Sequence, residues 1–223
     1  AAIHLAQDYG PDTAAVDLRA ATAIQDGLGS RPYVHTGGVW VYGDTDGVVD
    51  ETAPQAPPPI TAWRGDNERR ILERAGGGAH PVLVMPGVVY GHGGGLVGQF
   101  IGAPGRAGAA HYIGTGENRW AVVHVEDIAE LYVAALASPA GGVYAGVDDS
   151  QSPTMRQIAD AVSVAVGQSG TASSITMEQA RHEFGPFADA FALDQRFTAA
   201  NARRVLGWTP AARDVLAELA TDG

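Results

Sequence analysis

No cysteine and no lysine occur among the 223 residues. The first absence removes thiolate nucleophiles, thiolate metal sites and disulfides. The second removes every mechanism that needs a lysine amine. All fourteen basic residues are arginine, which keeps its charge and cannot serve as a tunable base. Cations are also outnumbered. The net charge of −11 argues against a nucleic-acid surface or a polybasic membrane anchor, since both need clustered positive charge. No apolar run approaches the ~20 residues of a membrane-spanning helix, and no charged segment followed by an apolar core marks a secretory leader. A cytoplasmic protein that handles a small molecule is the expectation.

What is present reads as an α/β protein. Hydrophobic residues make up 45% of the chain, enough for one large domain or for a domain with a lobe. Residues 1–6 are strand-like. Helical spacing follows over 14–28, with Val16, Ala20, Ala23 and Ile24 on one face. A strand is expected over 33–41, a loop over 44–59 and a helix over 63–75, with Glu68 and Arg69 polar and Ile71 and Leu72 apolar. Next come a strand over 82–84, a glycine-rich stretch over 91–108 and a helix over 128–136 capped by Glu126 or Asp127. A strand over 142–147 and helices over 154–166 and 198–206 complete the pattern. Alternating strands and helices indicate a mostly parallel sheet.

Two strand ends stand out. Val34 to Gly43 reads Val-His-Thr-Gly-Gly-Val-Trp-Val-Tyr-Gly, and Val82 to Gly91 closes on a similar Tyr-Gly. Glycine at the end of a buried strand lets a ligand approach the backbone. Two such ends predict a crevice at the carboxyl edge of a parallel sheet.

The order of motifs resembles the extended short-chain dehydrogenase/reductase family, the NAD-dependent epimerase and dehydratase relatives. Ile3-His4-Leu5-Ala6 is similar to that family's fourth-strand end, and Thr36–Gly43 to the strand carrying its catalytic serine. Pro86–Gly91 resembles the Pro-x-x-x-Tyr-Gly strand along the nicotinamide, His124–Asp127 the His-Val-x-Asp turn, and Leu206–Pro210 the Leu-Gly-Trp-x-Pro signature. The resemblance implies a Rossmann-type parallel sheet with a smaller C-terminal substrate lobe. The core is expected over 1–91 and 121–149, and the lobe over 92–120 and 150–223. NAD or NADP is the implied cofactor, and a homodimer paired through helix 14–28 or 63–75 is suggested. The family's N-terminal strand and Gly-x-x-Gly-x-x-Gly turn have no counterpart here, so the sheet is expected to lack its first strands, the chain being either a fragment of a longer protein or the product of a gene that lost its first half.

The usual catalytic set is replaced. Counting back from Tyr42 puts Gly38 at the serine position. Aligning helix 63–75 by Glu68 puts Ile60 at the tyrosine position and Arg64 at the lysine position, while the family's asparagine falls on Asp17. The resemblance therefore implies cofactor contacts from Leu5, Ala6, Thr36, Gly37, Arg64, Pro86, Gly87 and Val88. Substrate contacts would come from Gly38, Tyr90, His92 and Arg119. Thr36, Arg64 and His92 remain as catalytic candidates, His92 because an imidazole titrates near neutrality, with water as a further proton source. Tyr42 and Tyr90 also read as pocket-filling side chains, and His124 as a buried, hydrogen-bonded histidine. The expected activity is an NAD(P)-dependent oxidoreductase or epimerase acting on a small carbonyl or sugar-type substrate. The alternative is a non-catalytic NAD(P)-binding or regulatory protein. The seven histidines are scattered, with no His-x-x-x-His pair, so no metal site is expected. The absence of a Gly-x-Ser-x-Gly elbow argues against a serine hydrolase.

Overall fold

The computed structural model describes residues 1–76, 78–97, 110–167, 171–211 and 213–221. The chain runs through strand β1 (Ala2–His4), helix α1 (Thr13–Leu28), β2 (Tyr33–Thr36), a 3-10 turn at Val39–Tyr42, β3 (Val48–Val49), a second 3-10 turn at Pro59–Thr61, α2 (Arg64–Leu72), β4 (Val82–Pro86) and β5 (Val88–Tyr90). It continues through β6 (His111–Ile113), β7 (Val122–His124), α3 (Val125–Ala137), β8 (Gly142–Gly146), α4 (Met155–Ala165) and β9 (Ser173–Ile175). It ends with α5 (Met177–Phe184), α6 (Phe187–Phe191), β10 (Arg196–Phe197), α7 (Ala200–Leu206) and α8 (Val215–Leu219). Most of the glycine-rich stretch, 98–109, lies outside the described residues.

Strands β1, β2, β4 and β8 form one sheet in the order β1-β2-β4-β8, and every pairing in it is parallel. The architecture is thus the expected Rossmann-type α/β sheet. Three further parallel pairs, β10–β3, β5–β7 and β6–β9, stand beside it. Register partners in a parallel sheet share a face, and His4 lies opposite His35. That face of β2 meets α1 and α2: Tyr33 packs with Ala21 and Ile71. The alternate residue Thr36 points the other way and bonds Tyr132 of α3.

Several local expectations need correction. The buried stripe of α1 is Asp17 and Ala21, with Ile24 and Leu28 packed beside them, not Val16, Ala20 and Ala23. Apolar periodicity missed it because a carboxylate occupies the centre of the stripe. Strand β2 stops at Thr36, and Val39–Tyr42 winds into a 3-10 turn instead of extending. Gly37 still donates its N–H to the Val84 carbonyl, so the ladder ends on a glycine. Glu68 is 3% exposed and belongs to the interior, not to a polar helix face. The cap of α3 is neither Glu126 nor Asp127 but His124, whose side chain accepts the Glu126 N–H.

Two cores result. The first lies largely against α3 and α7 and includes Val34, Ile128, Leu131, Tyr132, Ala202 and Trp208. The second joins β5, β6 and β7 to α4, α5, α6 and α8 through Val88, Tyr90, Ile113, Ile158, Phe184 and Phe191. Residues 150–223 are therefore shared: α4, α5, α6 and α8 pack in the second core, while Phe197, Ala199, Ala202 and Trp208 pack in the first. No helix among the described residues is long and apolar enough to cross a membrane.

Candidate functional site

A cavity of about 280 Å³ opens at the carboxyl ends of β1, β2 and β4. Its floor is backbone: Gly37 and Gly38 after β2, and Pro86, Gly87 and Val88 where β4 passes into β5. Trp40, Ile60, Leu96 and Phe187 supply apolar walls, and Gln7 and Arg64 supply polar groups. This is the crevice at the strand ends where open α/β sheets hold their ligands.

Arg64 opens α2 and reaches back across the sheet edge. One guanidinium nitrogen donates to the Thr36 carbonyl at 3.1 Å and another to Gln7 Oε1 at 2.5 Å. The head group lies 4.7 Å from the Trp63 ring centroid, a cation–π contact. Burial lowers its pKa, and the nearby Glu68 and Asp17 oppose that shift. Arginine has such a wide margin that it remains a cation. One helical turn later sits Glu68. Burial, opposed by Arg64 and reinforced by Asp17, raises its carboxyl to about 7, although Gln55 draws it down. Neither of its buried oxygens makes a hydrogen bond of normal geometry. A Cβ built on Gly37 would stand 2.8 Å from Glu68 Oε1 and closer still to Met85 Sδ. Gly37 is therefore the thin wall between this carboxyl and the cavity. At Gly38 a Cβ would meet nothing within 4 Å, and φ is 172°, ordinary extended backbone.

A sequence profile describing the NAD-dependent epimerase/dehydratase family matches residues 3–146. The chain belongs to that family. Among curated relatives of this family member, the uncharacterized protein C2A9.02 of Schizosaccharomyces pombe is 28% identical over 212 residues, covering 93% of this chain and 70% of that protein. Among solved structures, human epimerase family protein SDR39U1 with NADPH superposes with a TM-score of 0.82 at 20% identity, over 98% of this chain and 79% of that one. MoeE5 in complex with UDP-glucose and NAD gives 0.79 at 19% identity, over 99% and 76%.

Of the family site positions read from the sequence, Gly37, Gly38, Ile60, Arg64, Pro86, Gly87 and Val88 meet around the one cavity. Other candidates lie elsewhere. The Thr36 hydroxyl donates to the His4 carbonyl at 2.7 Å and lies 2.8 Å from the Tyr132 hydroxyl, on the α3 side of the sheet. Both contacts lie away from the residues that line the cavity. Leu5 and Ala6 are exposed beyond β1, Leu5 by 62%. Tyr90 is buried in the second core, its hydroxyl without a partner. His92 is exposed and lies 3.2 Å from Glu126 Oε1. Arg119 donates its guanidinium to the Ser152 carbonyl at 2.6 Å, tying β7's approach to the start of α4. His124 is buried, with Nε2 2.7 Å from Glu218 Oε1 but off the axis of a good hydrogen bond.

Sequence reasoning missed two features. Glu68 was hidden because helix periodicity assigns a charged residue to the outside. The scattered histidines also concealed a cluster, since His4 and His35 are register partners and Asp17 faces both from α1.

Proposed function

We propose that this family member is the substrate-site portion of an NAD(P)-dependent oxidoreductase or epimerase acting on a small carbonyl or sugar-type substrate. The observation that carries the reading is convergence. Gly38, Ile60 and Arg64, which stand where the family's serine, tyrosine and lysine belong, come from three separate segments and line one cavity. The chemistry of the lining fits one end of a dinucleotide. Apolar walls suit a flat nicotinamide ring, and the Arg64 and Gln7 pair suits ribose hydroxyls. At about 280 Å³ the cavity sits near the lower end of the ~300–1,000 Å³ typical of ligand pockets.

The cofactor supplies hydride transfer when bound. The residues of the chain do the rest. Arg64, fixed by the Thr36 carbonyl and Gln7, donates hydrogen bonds to the ribose. The walls from Trp40, Ile60 and Leu96 exclude water from the ring. With the Thr36 hydroxyl committed to His4 and Tyr132 and Ile60 unable to ionise, a proton for substrate oxygen comes from water or from His92 at the next strand end. The loss of all three usual side chains favours the second reading, a cofactor-binding protein without turnover.

One set of measurements separates these readings. Fluorescence titration with NADH, NADPH and reduced nicotinamide mononucleotide tests binding, and Arg64→Ala should weaken it at least tenfold. Failure of all three to bind sinks both readings. Single-turnover hydride transfer to a panel of ketones by the unmodified chain supports the enzyme. Transfer seen only after Gly38→Ser, Ile60→Tyr and Arg64→Lys are combined supports the second reading.

A further inference from the structure

The buried cluster beneath α1 lies outside the reading above. His4 and His35 stand side by side on β1 and β2, and Asp17 faces them from α1. Asp17 Oδ1 lies 3.9 Å from His4 Nδ1 and 3.6 Å from His35 Nε2. One potential ligand atom from each residue falls within 4.8 Å of the others. All three side chains are buried, at 8%, 8% and 1% exposure. Neither Asp17 contact is a hydrogen bond, so the carboxylate faces two imidazoles without sharing a proton with either.

We propose that His4, Asp17 and His35 form a binding site for a transition-metal dication of the zinc class. Two imidazoles and a carboxylate are a borderline ligand set that suits Zn²⁺ or Co²⁺, with a fourth position left for water. Ligand bonds of about 2.0–2.2 Å place tetrahedral donors about 3.4 Å apart, so the two Asp17 pairs need to contract by only a few tenths of an ångström. The outer contacts already match those of a metal site. His35 Nδ1 lies 2.9 Å from the Tyr33 hydroxyl, and Asp17 Oδ2 accepts from Asn67 Nδ2 at 3.0 Å. Partners on the non-ligating atoms orient a first shell in this way. The two rings are stacked, 5.0 Å apart and 7° from parallel, so their lone pairs run parallel. Binding turns one ring about its Cβ–Cγ bond, and His4, the more exposed, is the one that turns. The ion would tie the first two strands of the sheet to α1.

Co²⁺ titration of the full chain tests this. The expected result is saturation at one equivalent with visible d–d bands of a four- or five-coordinate ion. Zn²⁺ should displace the Co²⁺ and raise Tm. Asp17→Asn, close in shape, should weaken binding by more than tenfold, and Tyr33→Phe by about tenfold. His92→Ala, at an exposed histidine outside the cluster, should leave it unchanged. If far-UV circular dichroism shows Asp17→Asn unfolded, His4→Gln decides in its place. No saturable binding by the parent chain overturns the proposal. So does binding that survives loss of a cluster residue, or that disappears with His92→Ala.

Discussion

The two faces of the main sheet differ in kind. Toward α3 and α7 the sheet presents Val34 and Val84 to Ile128, Leu131, Tyr132 and Ala135, and all are buried and apolar apart from the Tyr132 hydroxyl. Toward α1 and α2 it buries His4, Asp17, His35, Arg64, Asn67 and Glu68. A buried charge is costly unless it is paired. The second face therefore trades stability for groups with shifted protonation, and one of them, Glu68, lies behind Gly37 at the cavity wall. Burial raises Glu68 to about 7 and lowers His35 to about 4. In the first core burial raises the hydroxyls of Tyr42, Tyr132 and Tyr144, Tyr132 to about 12, far from any working pH.

Mutations should separate the two faces. Leu131→Ala on the apolar face should have the largest effect, a loss of about 2–5 kcal/mol. Denaturant midpoints should show that loss unchanged between pH 5 and pH 8. Glu68→Gln should act in the opposite direction. A carboxyl whose folded pKa lies above its unfolded value binds more protons when folded, so its contribution to stability declines as pH rises from the unfolded pKa through the folded one. With about 7 against the model value of 4.5, the penalty is fully present above pH 7. The variant should then be more stable by up to about 3 kcal/mol at pH 8, and the gain should vanish near pH 4. Parallel melting curves for parent and variant across that range would refute the burial argument.

The paired glycines give a finer contrast. Gly37→Ala places a methyl against Glu68 and Met85 and should cost about 1–3 kcal/mol as overpacking. Gly38→Ala enters open space at an ordinary φ and should leave Tm nearly unchanged. Equal melting shifts for the two would contradict the thin-wall geometry. Apart from the near-silent Gly38→Ala, the smallest expected effect is at Tyr132→Phe, which removes the hydroxyl bonded to Thr36 and should cost about 1 kcal/mol.

The apolar face was the more legible one in the sequence. The strands around Val34 and Val82 and the helix of Ile128 and Leu131 carry ordinary hydrophobic patterns, and the motif order located the cavity through Gly38, Arg64 and Pro86. The polar face was not legible, for a physical reason. Periodicity treats a charged residue as a solvent marker, so Asp17 shifted the expected stripe of α1 and Glu68 was placed outside. The His4–His35 pairing depends on strand register, which joins residues 31 positions apart and leaves no local spacing to find. The orientation of the Thr36 hydroxyl toward α3 was equally hidden, because the two-residue alternation of a strand decides which face a hydroxyl takes. One position on that strand separates Thr36 from His35.

The cap of α3 carries a consequence for proton placement. His124 Nδ1 accepts the backbone N–H of Glu126 at 3.2 Å, so a neutral ring must carry its hydrogen on Nε2, facing Glu218. Helix geometry thereby selects one tautomer of the imidazole.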